Sequence, residues 1–209
     1  MSNINLPARY RAFHAAGGAF LYSALGAAWA LVGALALRPF GMAWLNLLLG
    51  LITGLLLIAS VRALQRADYV PDSEMDDSQR EERERRSWRS RKVLRAEGFA
   101  ITAASVGLLL AQLHAYIAPV TSLIVGLHFV ALAPIHKNRG EYVIGGLMVA
   151  LSAGTMLWGQ HLGIQEGPAM NALAGLGTAV VLWCASVWRL VEEERAWSGV
   201  SPEKGDYPG

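Results

Sequence analysis

Six apolar runs of membrane-spanning length set the strongest limit on what this chain can fold into. A spanning α-helix needs about 20 mostly apolar residues, with a range of about 17–25. Charged residues make up 16% of the chain, against about 25% in soluble domains. The runs are Ala12–Leu37, Met42–Val61, Gly98–Ile117, Val120–Ile135, Tyr142–Trp158 and Ala169–Val191. We therefore predict an all-α polytopic membrane protein, built as a bundle of six transmembrane helices.

Two of the runs have unusual lengths. The first, Ala12–Leu37, has 26 residues, whereas the apolar core of a cleaved signal peptide has about 7–15. A retained helix is therefore the better interpretation, although Ala34-Leu35-Ala36 resembles a cleavage site. The fourth, Val120–Ile135, has 16 residues and reaches only ~24 Å at the helical rise. We expect neighbouring helices to cover the ends of this short helix, which would place it inside the bundle.

One long polar stretch, from Arg66 to Arg95, interrupts the apolar runs, and it is acidic in its first half and basic in its second. Ser78-Gln79-Arg80-Glu81 fits a capping box. The pairs Glu81–Arg85 and Glu82–Arg86 have the i,i+4 spacing that stabilises a helix. We predict a helix that begins at about Ser78 and continues into the third spanning helix.

The polar stretch divides the chain into four parts. Residues 1–66 form an N-terminal transmembrane hairpin, and residues 67–96 form a charged, helical cytoplasmic insertion. Residues 97–192 form a four-helix transmembrane part. Residues 193–209 are polar and rich in Pro and Gly, so we expect a disordered cytoplasmic tail.

The distribution of Lys and Arg predicts the orientation. With six spans, 17 of the 18 Lys and Arg residues fall on one side, and only Arg38 falls on the other. Cytoplasmic loops carry the excess of positive charge. We therefore expect a multi-pass protein of the cytoplasmic (inner) membrane with both termini in the cytoplasm.

Small residues recur at four-residue spacing on four of the runs. Such stripes allow helix backbones to approach closely in lipid, where the hydrophobic effect provides no drive for association. The stripes are Gly26/Ala30/Ala34, Gly50/Gly54, Gly146/Ala150/Gly154 and Asn171/Gly175/Ala179. They predict a compact bundle, and their faces would also suit assembly with a second copy or with another membrane protein.

The segment Gly126-Leu127-His128-Phe129, followed by Tyr142-Val143-Ile144-Gly145-Gly146, carries a family resemblance. It resembles the Gly-Leu-His-Phe segment of a family of small, uncharacterised multi-pass bacterial membrane proteins. In that family the segment runs on as Leu-Pro-Leu-Ala, whereas here the proline is displaced to Pro134. The resemblance implies a bacterial multi-pass protein and implies no activity.

Five polar residues in the spanning runs are the candidate ligand-binding residues: Asn46, Gln112, His114, His128 and Asn171. All except His128 fall in the outer third of their helices, where they would line an outward-facing polar vestibule if they converge. The alternative is that these side chains only meet headgroups and water.

His128 lies near the middle of the fourth run. A charged imidazolium there would cost several kcal/mol, so a neutral, hydrogen-bonded side chain is expected. Ser152, Thr155 and Thr53 lie at the same depth and are the predicted partners. His128 would then be either a structural contact between helices or a ligand or proton-relay group.

The basic half of the polar stretch is a candidate lipid contact. Clusters of Lys and Arg beside a spanning helix attract anionic headgroups by about 1 kcal/mol per residue. The contact residues would be Arg85, Arg86, Trp88, Arg89, Arg91, Lys92 and Arg95. The alternative is that this run only determines topology. A nucleic-acid partner is not expected, because the acidic half offsets the charge and one Trp is no stacking platform.

Catalytic and metal signals are weak. No Ser/His/Asp or Cys/His arrangement stands out, and three histidines at one depth, as zinc catalysis would need, are not found. The matched pairs His14/His136 and His114/His161 leave open a bis-histidine haem protein. Glu97 and Glu141 stand at helix starts, and no acid lies deep in a run, which argues against a proton-driven transporter.

Three functional hypotheses follow. The first is a protein that binds or passes a small solute through an outward-facing polar cavity. The second is a non-catalytic component that assembles with partner membrane proteins. The third is a haem or metal redox protein. The residues favour no enzyme activity, and they identify no cofactor.

Overall fold

The computed structural model describes residues 8–37, 43–68, 77–161 and 167–198. Within them lie six α-helices and no strands, and all six helices are long and apolar enough to cross a membrane. The helices are α1 (Ala8–Ala36), α2 (Ala43–Asp68), α3 (Asp77–Leu110), α4 (Ile117–His136), α5 (Arg139–His161) and α6 (Gly167–Ser198). A single 3-10 turn, His114–Tyr116, precedes α4. The predicted all-α, six-helix fold is confirmed.

Helix α6 is the centre of the bundle. It packs along α1 over most of its length and also contacts α2, α4 and α5. It has the largest buried share of the six spans. The short α4, which was expected to lie inside the bundle, contacts α3, α5 and α6. Helix α4 has 20 residues, because Ala118 and Pro119 lie in its first turn rather than in the preceding connection. The first turn of a helix tolerates Pro because its N–H groups have no intrahelical acceptor.

Two pairs of glycines allow the closest helix approaches. A Cβ on Gly175 of α6 would lie 2.6 Å from the backbone N of Gly33 of α1. A Cβ on Gly145 of α5 would lie 2.5 Å from the carbonyl O of Gly126 of α4. The predicted stripes of α1 and α6 lie at the contact between these two helices, where Gly26 faces the Trp183 ring and Ala30 and Ala179 are buried. The stripes of α2 and α5 do not bring helices this close, because a Cβ on Gly50, Gly54, Gly146 or Gly154 would meet nothing within 4 Å among the described residues. Gly50 and Gly54 line a groove between α1 and α2, and Gly154 lines a pocket between α5 and α6.

Small hydroxyls complete the interior contacts of α6. The Oγ atoms of Ser23 on α1 and Ser186 on α6 lie 2.8 Å apart, and Ser60 of α2 lies 3.4 Å from Ser23. On the other side of α6, Ser122 and Thr178 lie 2.7 Å apart. These buried hydroxyls fit between closely spaced helices and connect α1 and α4 to α6, and α2 to α1.

Helix α3 is the most loosely attached helix, and this creates the cavities described below. It packs on α4 and the 3-10 turn rather than along α1, and none of its residues is fully buried. It begins at Asp77 and runs without a break into the apolar segment, as predicted. The predicted pairs Glu81–Arg85 and Glu82–Arg86 are both present, each with a contact of 3.0 Å.

The C-terminal helix is longer than predicted. Disorder was expected from residue 193 onward, but α6 continues to Ser198, so this expectation is wrong for residues 193–198. The last turns carry helix-supporting contacts, because Trp188 donates a hydrogen bond to Glu192 one turn later and Arg189 pairs with Glu192. The rest of the predicted tail lies outside the described residues.

Candidate functional site

A cleft of about 680 Å³ lies between α1 on one side and α3 and α4 on the other. Its walls are mainly apolar, and they include Leu21, Leu25, Trp29, Ile101, Val125 and Phe129. Six His, Glu and Arg side chains also line it: His14, Glu97, His128, His136, Glu141 and Arg189. We call this cavity the cleft.

Glu97 and His128 face each other across the cleft. The Nδ1 atom of His128 lies 3.0 Å from Oε2 of Glu97, and the two side chains are only 11% and 13% exposed. The two atoms are close but do not form an aligned hydrogen bond, because Nδ1 has no hydrogen-bond partner among the described residues. Glu97 is therefore a buried acid within helix α3, on the wall of the cleft.

The partners predicted for His128 are wrong. Ser152 donates to the carbonyl O of Met148, and Thr155 donates to that of Leu151, so both hydroxyls bond within α5. Thr53 lines a separate groove between α1 and α2. Hydroxyls at matched depth were plausible, but the rotation of α5 about its axis turns them into its own backbone.

A second polar cluster closes one end of the cleft, where α4 ends and α5 begins. Oε1 of Glu141 lies 2.8 Å from Nδ1 of His136 and 3.5 Å from the guanidinium of Arg189. The ring of His14 meets that of His136 edge-on, with centroids 5.7 Å apart. Glu141 is 3% exposed by its side chain, yet its Oε2 has no hydrogen-bond partner in the described part of the chain. We call these four side chains the His-Glu-Arg cluster.

Beyond the cluster the cleft opens into a second cavity of about 600 Å³, which we call the vestibule. The cleft and the vestibule share His14, His136 and Arg189 as lining residues. The charged residues lining the vestibule are four arginines against one glutamate: Arg83, Arg86, Arg189, Arg195 and Glu192. Its remaining lining residues include Tyr10, Ser87 and Ser90.

One face of α3 lines both cavities. Arg83, Arg86, Ser87 and Ser90 line the vestibule, and Leu94, Glu97, Gly98 and Ile101 line the cleft. These residues follow one another at intervals of one, three and four, which places them on one side of a helix. The same helix therefore presents a basic segment, a buried acid and an apolar segment in succession along a continuous wall.

The remaining basic residues of α3 point elsewhere. Arg85, Trp88, Arg89, Arg91, Lys92 and Arg95 are all exposed, whereas Arg86 is half-buried and pairs with Glu82. The ammonium of Lys92 lies 3.6 Å from the centre of the Trp88 ring. The predicted lipid-contact set is thus divided between an exposed face and the vestibule.

The predicted outer ligand-binding residues do not share a cavity with His128. Asn46 is exposed and lines the groove between α1 and α2, and Gln112 and His114 are exposed at the connection from α3 to α4. Gln112 has a left-handed backbone, with φ 60°. Asn171 on α6 has a buried Oδ1 without a hydrogen-bond partner among the described residues. Of the five candidates, only His128 lines the cleft.

The sequence analysis missed three of the site residues. Glu97 and Glu141 stand directly before apolar runs, and Arg189 stands inside the sixth one. Ionisable residues at such positions are a functional signal in membrane proteins. Hydropathy does not indicate Glu97 or Glu141 as site residues, because both stand just outside the apolar runs that mark the predicted spans.

The His14/His136 pair proposed for haem is in contact but is not free for it. Nδ1 of His136 bonds Glu141, and its Nε2 lies 3.1 Å from Oγ of Ser90. An axial ligand needs a free ring nitrogen, and this ring has both engaged. Within the described residues, no group of three or more His, Cys, Asp or Glu side chains is placed to hold a metal ion. The side chain of His161, in the second pair, lies outside the described residues.

Comparison with protein-family models, curated proteins and solved structures yields no match. The resemblance carried by Gly126-Leu127-His128-Phe129 therefore stays a prediction. The fold and the site define the class of protein: a six-helix bundle whose helices suit a multi-pass membrane protein, with an apolar cleft that ends in an ionisable cluster.

Proposed function

We propose that this chain is an integral membrane protein that binds an amphipathic small molecule. The apolar part of the ligand lies in the cleft, and its polar head lies at the His-Glu-Arg cluster. Binding sites of about 300–1,000 Å³ with apolar walls and a few convergent polar groups are typical of such ligands. The cleft, at about 680 Å³, falls in this range.

The observation that carries the proposal is the unpaired carboxylate oxygen of Glu141. A buried acceptor without a donor costs about 1–3 kcal/mol. Oε2 of Glu141 is such an acceptor, on a side chain that lines the cleft. A ligand hydroxyl at this point would satisfy it, and the apolar walls would take the rest of the molecule.

The cleft also has a route of entry. Because α3 packs on α4 rather than along α1, the space between α1 and α3 is open at the side of the bundle. Leu21 of α1 and Leu94 of α3 line it and are 53% and 59% exposed. A chain-bearing ligand would enter from the lipid. We place the ligand here rather than in an outward-facing cavity, because the outer polar residues do not line one cavity.

Filling the cleft tests this proposal. A Cβ on Gly98 or on Gly107 would meet nothing within 4 Å, so either position accepts a larger side chain. Both glycines lie on α3, but only Gly98 lines the cleft. The probe is a single-chain monoacylglycerol with a fluorescent acyl chain, titrated against the purified protein in nanodiscs of neutral lipid.

We expect saturable binding to the parent and binding at least about tenfold weaker to Gly98→Leu, because the leucine occupies space that the chain needs. Gly107→Leu is the matched control and should bind as the parent does. Equal affinity in all three proteins, with melting temperatures showing all three folded, would sink the proposal.

A further inference from the structure

The vestibule has a charge pattern that the cleft alone does not explain. Its lining arginines outnumber its lining glutamate by four to one. Arg86 and Arg189 pair with Glu82 and Glu141, whereas Arg83 contacts the Tyr10 ring. A cavity of about 600 Å³ lined by several guanidinium groups suits an anionic group.

From these observations we infer that the vestibule binds a phosphate group, and that the ligand of the cleft is a phosphorylated amphiphile of the acyl-glycerol phosphate class. This inference rests on the proposed function, because it assigns the head of the same ligand. The cleft takes the chain, Oε2 of Glu141 accepts a hydrogen bond from the glycerol hydroxyl, and the vestibule takes the phosphate.

The arginines are held in ways that keep donors for a ligand. The guanidinium carbon of Arg83 lies 5.4 Å from the centre of the Tyr10 ring, which is a cation–π contact rather than an ion pair. Arg86 contacts Glu82 through Nε, so its two terminal amino groups take no part in that contact. Planar guanidinium groups bind phosphate oxygens in pairs, which is why arginine predominates at phosphate sites.

The dimensions agree with this class of ligand. Ile101 lies 18 positions after Arg83 on α3, which is ~27 Å at the helical rise. That length is close to the ~30 Å of the hydrocarbon core, so the apolar end of the wall reaches the level of the acyl chains and the basic end reaches the phosphate level. Glu97 and Glu141 disfavour an anion inside the cleft, which leaves the vestibule as the place for the phosphate.

The test compares two fluorescent probes with the same acyl chain, a monoacylglycerol and its phosphate, on the protein in neutral-lipid nanodiscs. We expect the phosphate probe to bind about five- to tenfold more tightly, as one or more arginine contacts near a surface would give. Arg83→Gln should remove most of this preference. Arg85→Gln is the matched control: it removes one charge two residues away, on the exposed side of the same helix, and should keep the preference.

A competition experiment distinguishes a soluble phosphate from a lipid headgroup as the source of the ligand. Glycerol phosphate without a chain is added as a competitor. If it displaces the phosphate probe at comparable concentration, the phosphate site is supported with a soluble source, and if it fails to, the lipid source is supported. Equal binding of the two probes, or equal losses in the two variants, would overturn the inference and leave the proposed function standing. Binding of neither probe would overturn both.

Discussion

At the scale of single residues, Glu97 and His128 are the most informative pair. Each lies on its own helix in an apolar cleft, and each is close to nine-tenths buried by its side chain. Breaking a buried charge pair by removing one partner typically costs about 3–5 kcal/mol, because the other charge is left uncompensated. A simple polar contact between membrane helices averages only about 0.6 kcal/mol. The size of the loss therefore distinguishes a charge pair from an ordinary interhelical contact.

We expect His128→Leu to destabilise the protein by clearly more than this ~0.6 kcal/mol, because Glu97 would then lie unpaired in the cleft. The double variant Glu97→Gln/His128→Leu should recover much of that loss, since no charge remains. Thermal unfolding of the parent, both single variants and the double variant in one detergent gives the comparison. His114→Leu is the control, because His114 is exposed. A double variant that loses the sum of the two single losses would show that the two side chains are not coupled.

This pair also shows how far sequence reasoning reached at this scale. His128 stood out because it interrupts an apolar run. Counting residues predicted hydroxyls at the same depth as its partners. It did not predict Glu97, because Glu97 precedes the apolar run of α3. Helix α3 extends 20 residues before Glu97 and turns one continuous face to the cavities, so a charge at the start of the apolar run still points inward.

At the scale of elements, α3 presents two basic faces with different surroundings. Arg83 and Arg86 line the vestibule, whereas Arg85, Arg89 and Lys92 are exposed on the other side of the helix. We propose that the exposed face lies against anionic headgroups, which attract each Lys or Arg by about 1 kcal/mol near the membrane surface. The two faces should therefore respond to different lipids and to different substitutions.

The triple variant Arg85→Gln/Arg89→Gln/Lys92→Gln should lose the preference of the protein for bilayers that contain anionic lipid. The dependence of this preference on salt should also flatten, because salt screens exposed charges. Reconstitution into vesicles of graded anionic content, at two ionic strengths, measures both. Arg83→Gln is the matched comparison and should keep the preference. If the triple variant behaves as the parent does, the exposed face is only a topology signal.

At the scale of the whole molecule, the bundle has a basic end. The start of α1, the C-terminal ends of α2, α4 and α6, and the N-terminal ends of α3 and α5 lie there, and so do the vestibule and the His-Glu-Arg cluster. Since 16 of the 18 Lys and Arg residues lie in the described segments that come together at that end, we propose that it faces the cytoplasm. A phosphate head in the vestibule would then come from the cytoplasmic leaflet.

Cysteine labelling in whole cells tests this orientation. In a Cys184→Ser background, Gln112→Cys should react with a membrane-impermeant maleimide from outside, because Gln112 is exposed at the far end of the bundle. Arg139→Cys, at the start of α5, should react only after permeabilisation. Pro119 is unsuitable as a reporter position, because it is buried in the first turn of α4. Labelling of both positions from the same side would contradict the six-span topology.

The sequence by itself determined the class of fold, the number of helices, and the start and continuity of α3. These depend on the lengths of apolar runs, on charge spacing and on capping residues, all of which are local along the chain. It also indicated His128 and the contact between His14 and His136, because their depths can be read by counting residues.

Only the tertiary structure decided which faces meet. A run of Leu, Ala and Gly is apolar all around, so hydropathy does not reveal which side of the helix turns inward. The approach of Gly33 to Gly175 and of Gly126 to Gly145 sets those rotations. Because α3 packs on α4, a space remains beside α1, and Glu97, Glu141 and Arg189 line it. These residues are far apart in the chain, so their common position in the cleft depends on the packing of the helices.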